Sequence, residues 1–417
     1  MNTYKYLIIG GGTTAGYAAQ EFVEQGIDKR ALCIISAESI LPINRPPLSK
    51  QYLKDPHKDD ELLINDNSFY VSNGIDLLLD SRVKSVDFGS NVVTLESGEQ
   101  ISYKKLLIAT GSKLKRLEMD GGNLENIFYL RRIDQADKIR QQAEKSKNAV
   151  VIGGGYIGSE TAAVLSDMGL NVTMIIPEDQ LLAKFTNEEI GDYFKKVYND
   201  HGVKMIFNDE VVGFNGNSGV KEVELASGKR IATDMVVAGI GVEPNLEIFK
   251  GTALKMDQGI QVNEFCETNI DNVYAAGDVA EFPDKIFDKM RHIEHWENAF
   301  EQGKNAAMVM SGKREPYIFI PFFFSDIFDI SYEYYGDQGD ADDTVVRGNI
   351  KSGNFSYWWF KGNRLLAAFI MSTRPDEEGE KARQWISFKT MIDKEKLADN
   401  DVEMSKMELN PKYWKGQ

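Results

Sequence analysis

The sequence predicts an α/β protein with two Rossmann-like domains and a C-terminal α+β domain that contains an antiparallel sheet. Two strand–glycine turn–helix units predict the Rossmann-like domains, and a C-terminal stretch crowded with aromatic residues predicts the third domain.

The first unit joins a buried strand to a helix through a glycine-rich turn. Residues 6–9 are four consecutive apolar residues, typical of a strand buried on both faces. The turn has the pattern G-x-G-x-x-A, in which the first glycine permits a tight turn and the second leaves room for a pyrophosphate. The helix N-terminus offers N–H groups to phosphates. The residues predicted to bind a dinucleotide here are Gly10, Gly12, Thr13, Thr14 and Ala15.

A strand over residues 32–35 completes this βαβ unit, and Glu38 follows its end. An acidic residue at that position can accept hydrogen bonds from both ribose hydroxyls of an adenosine. The next segment, 42–50, contains three prolines and is expected to be stiff and non-helical up to Pro47. It places Arg45 and Lys50 as candidate contacts for an anion.

The second unit repeats the pattern about 140 residues later. Residues 149–152 form an apolar strand, and the glycine turn and a helix follow. Two dinucleotide sites in one chain indicate a flavin held permanently and a nicotinamide that binds and leaves. The residues predicted to contact the nicotinamide dinucleotide here are Gly153, Gly155, Tyr156, Ile157 and Gly158.

Composition excludes several classes of function. Lysine and arginine number 48 against 64 aspartates and glutamates, and the resulting net charge of −16 disfavours nucleic acids and anionic membranes. No apolar run approaches 18 residues, so we expect no transmembrane helix. The chain enters a strand within five residues, so we expect no signal peptide and a cytoplasmic protein. Cys33 and Cys266 lack dithiol spacing and are expected to be buried packing residues, and the histidines lack metal-ligand spacing.

The runs KYLIIGGGTTAGYAAQEFVEQG and IISAESILPINRPPLSKQYL resemble the FAD- and NAD(P)-dependent pyridine nucleotide reductases. The similarity covers about residues 3 to 370 and is greatest to the plant-type monodehydroascorbate reductases. Ferredoxin and rubredoxin reductases and apoptosis-inducing factor are more distant relatives. The run NVYAAGDVAEFP matches the second FAD signature of the family. The resemblance therefore implies FAD and a nicotinamide as cofactors. It also implies that the FAD-binding domain is made of two segments, 1–116 and 247–313, with the NAD-binding domain 117–246 inserted between them and a C-terminal domain over 314–417.

The resemblance also implies roles for individual residues. Lys50 and Glu160 are expected to form a catalytic pair beside flavin N5, where Lys50 stabilises negative charge on the reduced flavin. Further FAD contacts are implied for Val83, Arg131, Gly277, Asp278, His295, Trp296 and Phe324, besides Glu38 and Arg45. Contacts with the nicotinamide dinucleotide are implied for Glu178, Lys184, Gly241, Glu294 and Glu333. A carboxylate at Glu178 repels a 2′-phosphate, so NADH is expected to be preferred over NADPH.

Some secondary structure is predicted beyond these motifs. We expect strands over 76–86 and 92–95, an antiparallel sheet that includes 330–335 and 354–360, and a helix over 380–392. The helix that includes Trp296 is expected to begin near Glu294. A homodimer is a further expectation.

The implied reaction is hydride transfer from NADH to the flavin, followed by single-electron transfer to an acceptor, because the sequence has no cysteine pair to take two electrons. A small acceptor such as monodehydroascorbate or a quinone is one hypothesis. Plant-type enzymes carry tyrosine and arginine around the serine that matches Ser325, whereas this chain has Phe324 and Asp326, and Phe300 replaces a further arginine. A ferredoxin- or rubredoxin-type protein is therefore a second possible acceptor. A slow NADH-sensing flavoprotein is the third hypothesis.

Overall fold

The computed structural model describes residues 1–57 and 62–409, which divide into two compact units. The first unit comprises residues 1–46, 62–113 and 242–319, and the second comprises 47–57, 114–241 and 320–409. The four-segment division expected from the sequence stays a prediction.

Strands and helices alternate around the two glycine turns, and runs of consecutive strands make up much of the rest of the described chain. The strands are β1 Asn2–Ile9, β2 Leu32–Ile35, β3 Asp76–Leu78, β4 Val83–Asp87, β5 Val92–Leu95, β6 Gln100–Ile108, β7 Ser112–Leu114, β8 Ile127–Phe128, β9 Asn148–Ile152, β10 Asn171–Ile176, β11 Lys204–Phe207, β12 Val211–Gly216, β13 Val220–Leu225, β14 Arg230–Ala232, β15 Met235–Ala238, β16 Val242–Pro244, β17 Ile260–Gln261, β18 Val273–Ala275, β19 Ala280–Asp284, β20 Lys289–His292, β21 Phe322–Ile327, β22 Ile330–Gly336, β23 Asp343–Asn349, β24 Asn354–Lys361 and β25 Arg364–Met371. The α-helices are α1 Thr13–Glu24, α2 Gln51–Lys54, α3 Asn67–Asn73, α4 Ile133–Ala143, α5 Tyr156–Asp167, α6 Glu188–Asp200, α7 Trp296–Ser311, α8 Asp376–Ser387 and α9 Lys394–Ala398, and the 3-10 helices are Pro46–Ser49, Glu247–Phe249, Ile350–Ser352 and Met404–Lys406.

The first unit is organised on a sheet of strand order β3-β2-β1-β6-β5-β4, in which β18 also pairs with β6. Strand β1 is parallel to β2 and β6, and β18 is parallel to β6. Strands β1 and β2 end beside each other in register, with Ile9 opposite Ile35. This register brings the turn after β1 and the loop after β2 to the same sheet edge, where ligands of such folds bind. Helix α1 packs against α7 in the same unit.

The second unit contains a parallel sheet of order β11-β10-β9-β15-β8 and an antiparallel sheet of order β21-β22-β25-β24-β23. Strands β9 and β15 are almost continuously buried, as expected for strands covered on both faces. An apolar core lies between the parallel sheet and the small β12-β13-β14 sheet; it includes Val150, Ile175 and Phe214. The predicted parallel units and the C-terminal antiparallel sheet are therefore confirmed.

Three local predictions are corrected. Residues Pro46–Ser49 form a 3-10 helix, because the fixed φ of proline suits the first turn of a helix. The predicted strand over 76–86 is two strands, interrupted near Asp80, which adopts a positive φ of 50°. The predicted helix over 380–392 begins earlier, at Asp376, and ends at Ser387. Acidic residues in its first turn favour that start.

Arg347 on β23 connects three parts of the antiparallel domain. Its guanidinium donates to Glu378 Oε1 on α8 at 3.1 Å. It also donates to the backbone carbonyl of Leu397 in α9 and to those of Asp399, Asn400 and Val402 after that helix. Arg347 and Glu378 are both buried. We infer that this one side chain holds the 397–402 segment to the sheet.

Substitution Arg347→Met is expected to lower the free energy of unfolding by about 3 kcal/mol, because it removes one of the two arginines that donate to the buried Glu378 and the donor to several backbone carbonyls. Urea unfolding measures the loss, and hydrogen exchange should show faster exchange in residues 394–404. Lys351→Met is the control, since Lys351 is exposed in the 3-10 helix after the same strand. Equal stabilities for the two variants would contradict the inferred role.

In the part of the chain that the structure describes, no helix is both long and apolar enough to span a bilayer.

Candidate functional site

The first glycine turn connects β1 to α1. Gly10 has φ +123°, and a Cβ there would lie 2.0 Å from the Ala109 carbonyl oxygen, so only glycine fits. Gly12 is the N-cap of α1 and supplies no side-chain cap. A Cβ at Gly12 would meet only the Arg45 guanidinium, at 3.7 Å. The N–H groups at the start of α1 therefore face a clear space of the kind a pyrophosphate occupies.

The start of α1 packs against the loop after β18. Thr13, Thr14 and Ala15 are buried. A Cβ at Gly277 would lie 2.2 Å from the Thr14 hydroxyl oxygen. The next residue, Asp278, accepts a 2.6 Å hydrogen bond from the Ser112 hydroxyl, which orients its carboxylate. The structure thus brings both predicted FAD signatures of the first unit to the same helix end.

Glu38 and Arg45 form an ion pair of 2.7 Å, and both side chains are partly exposed. The Ser36 hydroxyl accepts a hydrogen bond from the Glu38 N–H at 3.0 Å, which fixes the turn after β2. Because Arg45 also lies over Gly12, these three predicted residues are close together.

The remaining predicted residues of the first unit lie at element ends. His295 is the N-cap of α7, and Trp296 begins that helix, with its indole N–H donating to Asn44 Oδ1 at 2.9 Å. Val83 is buried at the start of β4. Glu294 is exposed and precedes α7, so the helix begins two residues later than expected.

The second glycine turn connects β9 to α5. Gly153 has φ +105°, and a Cβ there would lie 2.4 Å from the Gly239 carbonyl oxygen. A Cβ at Gly158 would lie 2.2 Å from the Gly153 carbonyl oxygen, so helix and turn pack too closely for a side chain. Gly155 differs: it is the exposed N-cap of α5, without a side-chain cap, and a Cβ there would meet nothing within 4 Å. This space again fits a dinucleotide pyrophosphate.

Tyr156, the first residue of α5, belongs to an aromatic cluster. Its ring centroid lies 4.3 Å from that of Phe323 and 5.0 Å from that of Phe185. Burial raises the pKa of the Tyr156 phenol well above its usual value. Ile157, next on the helix, is 39% exposed. The structure therefore places Tyr156 against β21, the strand that carries Phe324.

Lys50 and Glu160 lie together in the second unit with two serines. Lys50 Nζ is 3.7 Å from Glu160 Oε1, and both side chains are buried. The Ser49 hydroxyl donates to Glu160 Oε2 at 2.5 Å, and the Ser325 hydroxyl donates to Glu160 Oε1 at 2.6 Å. Asp326 accepts a 2.9 Å hydrogen bond from Lys50 Nζ. The result is a buried ammonium beside two carboxylates, suited to compensate negative charge.

Other predicted residues of the second unit are spread over several elements. Glu178 is exposed just beyond β10, and Lys184 is exposed with its carbonyl accepting from Gln338 at 3.2 Å. Glu333 Oε2 accepts from the Tyr335 hydroxyl at 2.7 Å. Gly241, with φ +96°, ends the loop after β15. Arg131 is partly buried, and its backbone N–H donates to Gln135.

The family is shown by comparison with known proteins. A family model described as pyridine nucleotide-disulphide oxidoreductase matches residues 4–303, and one described as reductase C-terminal matches residues 322–408. The chain belongs to the pyridine nucleotide-disulphide oxidoreductase family. The resemblance inferred from the sequence is therefore confirmed.

Among its relatives, monodehydroascorbate reductase of Pisum sativum is 38% identical over 405 residues, which cover 90% of this chain and 93% of the relative. A ferredoxin reductase from Rhodopseudomonas palustris matches with a TM-score of 0.92 at 29% identity, covering 97% of this chain and 99% of that chain. The structure of a covalent putidaredoxin reductase–putidaredoxin complex matches with a TM-score of 0.92 at 28% identity, covering 97% of each. This member of the family is an FAD-dependent oxidoreductase that uses NAD(P)H, and the two open glycine turns fit those cofactors.

Ser49, Ser325 and the half-exposed Asp326 complete the cluster around Lys50 and Glu160, and no motif in the sequence assigns them a role there. Ser49 lies in the site because it is the residue directly before Lys50 in the chain. Ser325 and Asp326 come from β21, more than 150 residues away from Glu160. The signal in the sequence is a serine next to two of the predicted site residues, Ser49 beside Lys50 and Ser325 beside Phe324.

The buried Glu160 makes stability depend on pH. Burial raises the pKa of this carboxyl above its usual 4.5, and Lys50, Ser325 and Ser49 offset the effect only in part. As pH rises, the unfolded chain releases this proton first. The contribution of protonated Glu160 to the free energy of unfolding is therefore fully present below pH 4.5, and it is lost as pH rises through the folded-state pKa of Glu160.

Glu160→Gln is expected to abolish this loss, which amounts to at most about 1.4 kcal/mol per pH unit for one proton. The measurement is urea unfolding at a series of pH values from about 4 upward. Glu178→Gln serves as the control, since Glu178 is exposed. If the native protein and Glu160→Gln show parallel pH profiles, Glu160 is not the group responsible.

Proposed function

We propose that this protein oxidises NADH and passes the electrons one at a time to a small acceptor of the monodehydroascorbate or quinone type. The observation that supports single-electron transfer concerns the two cysteines of the chain. Cys33 and Cys266 are free and buried, and burial raises the pKa of Cys33 to about 12 and that of Cys266 further. Neither thiol is suited to relay electrons, because the reactive form is the thiolate. The electrons must then pass directly to an external acceptor.

Bound FAD would supply the chemistry that couples hydride transfer from the nicotinamide to single-electron transfer. We propose that Lys50 and Glu160 form the catalytic pair beside it. The Lys50 ammonium would compensate negative charge on the reduced flavin, and Glu160 supplies a buried carboxylate 3.7 Å from that ammonium. The serine hydroxyls hold both oxygens of Glu160. Phe324, whose ring lies 4.7 Å from Lys50 Nζ and is 39% exposed, offers an apolar face to the flavin ring.

The cofactor contacts remain part of the proposal. The segments 1–116 and 247–313 form the FAD domain, 117–246 the NAD domain and 314–417 the C-terminal domain. FAD is held by Gly10, Gly12, Thr13, Thr14, Ala15, Glu38, Arg45, Lys50, Val83, Arg131, Gly277, Asp278, His295, Trp296 and Phe324. NADH is held by Gly153, Gly155, Tyr156, Ile157, Gly158, Glu178, Lys184, Gly241, Glu294 and Glu333.

NADH is the proposed nicotinamide because Glu178 lies just beyond β10, where a ribose-binding acid belongs in this fold. Glu178→Gln is expected to lower the ratio of kcat/KM for NADH to that for NADPH about tenfold, or roughly 1.4 kcal/mol. Steady-state kinetics with both nucleotides measures this ratio. Glu188→Gln, an exposed acid in the first turn of α6, is the control. An unchanged ratio in Glu178→Gln would assign selectivity to another residue.

A protein acceptor is the second candidate, and the similarity to a ferredoxin reductase and to a putidaredoxin reductase complex favours it. The net charge of −16 disfavours an acidic electron carrier. The distinguishing experiment mixes NADH-reduced protein with monodehydroascorbate radical, with a quinone and with a ferredoxin-type protein. We expect the fastest reoxidation with one of the small acceptors. Reoxidation by the iron–sulfur protein alone would replace the first proposal, and negligible turnover with every acceptor would favour NADH sensing.

A cytoplasmic homodimer is also proposed. Several relatives are named as peroxisomal, for example one from Arabidopsis thaliana, so the compartment needs its own test. Cell fractionation should recover the protein with cytoplasmic markers, and recovery with an organelle would contradict the proposal. Light scattering after gel filtration should give twice the monomer mass of 46.9 kDa.

A further inference from the structure

Lys50 has two carboxylate neighbours, and they are not equivalent. Its ammonium donates to Asp326 Oδ2 at 2.9 Å but stands 3.7 Å from Glu160 Oε1. Glu160 is the more distant of the two carboxylates. If Lys50 and Glu160 formed a simple ion pair, we would expect the ammonium and this carboxylate to lie within hydrogen-bond distance. Its oxygens instead accept short hydrogen bonds from Ser49 and Ser325. Of the two carboxylates, the one that is hydrogen-bonded to the Lys50 ammonium is therefore that of Asp326.

The geometry of β21 explains how Asp326 reaches Lys50. Phe324 and Asp326 are two residues apart and share the exposed face of the strand, while Ser325 points to the buried face. Lys50 Nζ lies over the Phe324 ring, 4.7 Å from its centroid, as well as against Asp326. Ser325, on the opposite face of the same strand, donates its hydroxyl to Glu160. Strand β21 thus carries a hydrogen-bond partner of the Lys50 ammonium and one of the Glu160 carboxylate.

Exposure also separates the two carboxylates. The Asp326 side chain is 53% exposed, whereas those of Lys50 and Glu160 are 9% and 7% exposed. The buried ammonium is therefore bound from the solvent side by a carboxylate that water reaches. Asp326 stays ionised, because hydrogen bonds from Ser331 and Lys50 outweigh the effect of its partial burial and lower its pKa.

We propose that Asp326 is a positioning residue for Lys50. Its carboxylate holds the ammonium over Phe324 and away from Glu160, and so sets how much positive charge Lys50 offers to the bound flavin. The inference rests on the proposed placement of Lys50 beside FAD, but not on the identity of the acceptor. It predicts that Asp326 acts on the flavin through Lys50 and not only through its own charge.

The test measures the midpoint potential of the bound FAD by equilibration with reference dyes, in a double-mutant cycle. Asp326→Asn is expected to raise the potential, because an uncompensated Lys50 favours the added negative charge. The same substitution in the Lys50→Met background is expected to give a clearly smaller shift, because the side chain through which Asp326 acts is gone. Asp326→Glu, which restores a carboxylate, should bring the potential back toward the native value.

Asp343→Asn is the matched control. Asp343 lies in the same sheet, is 52% exposed and pairs with Lys394 at 2.6 Å, so it shares the exposure and ion pair of Asp326 without contacting Lys50. Its substitution should leave the potential unchanged. Equal shifts for Asp326→Asn in both backgrounds, or no shift in either, would overturn the proposal. Because the potential needs neither NADH nor an acceptor, these results do not depend on the proposed reaction. A native protein that binds no FAD would instead refute the proposed function.

Discussion

Replacing Lys50 with methionine is expected to slow reduction of the bound flavin by NADH by about 100-fold or more, the range typical of a lost charge-stabilising group. The substitution removes the ammonium that lies 3.7 Å from Glu160 and 2.9 Å from Asp326. Negative charge arriving at the flavin would then meet two carboxylates without their cation. Stopped-flow mixing with NADH under anaerobic conditions measures the rate from the loss of flavin absorbance.

The control for this prediction is Lys54→Met. Lys54 lies one helical turn further along, is 52% exposed and pairs with Asp167 at 3.1 Å, so its loss removes an ion pair of little energetic consequence. Flavin content should be equal in both variants. A Lys50→Met protein that retains FAD and is reduced at the native rate would remove Lys50 from the mechanism.

Substitution Gly155→Ala is expected to raise the KM for NADH about 10- to 100-fold, or roughly 1.4 to 2.8 kcal/mol, while FAD content stays native. A Cβ at this position meets no protein atom within 4 Å, so the fold should accept it. The methyl group would instead occupy the space in which a pyrophosphate approaches the start of α5. Steady-state kinetics and the absorbance of bound flavin measure the two effects.

Two further alanine variants sharpen this prediction. Gly213→Ala is the control, because a Cβ there would approach only the Asp120 carbonyl oxygen, at 3.7 Å. Gly12→Ala is the counterpart in the first unit and should lower FAD content instead. If Gly155→Ala binds NADH as tightly as the native protein does, the second turn is not a nicotinamide site.

The glycine turns are the part of the fold that the sequence predicts best. Each motif combines local requirements: a buried strand, a positive φ at Gly10 or Gly153 and a helix start without a side-chain cap. Such requirements are met within about ten neighbouring residues, so the pattern is visible in the sequence. The ends of helices and strands are harder to predict, because competing conformational preferences of neighbouring residues determine them. The 3-10 helix at Pro46 and the early start of α8 at Asp376 are examples.

The candidate site was only partly predictable for a different reason. Family resemblance supplied the Lys50–Glu160 pair, but the serines that hold Glu160 and the carboxylate that holds Lys50 depend on long-range packing. Ser325 and Asp326 reach the pair only because β21 packs against α5. The same limit applies to Arg347, whose partners lie about 30 to 55 residues further along the chain. No local pattern marks such contacts.

The most direct test of the account is anaerobic addition of NADH to the purified protein while its visible spectrum is followed. The purified protein is expected to be yellow, to release FAD on denaturation and to lose its flavin absorbance when NADH is added. A colourless protein that contains no flavin and takes up none when FAD is supplied would contradict it. Bound flavin that NADH fails to reduce would contradict it equally.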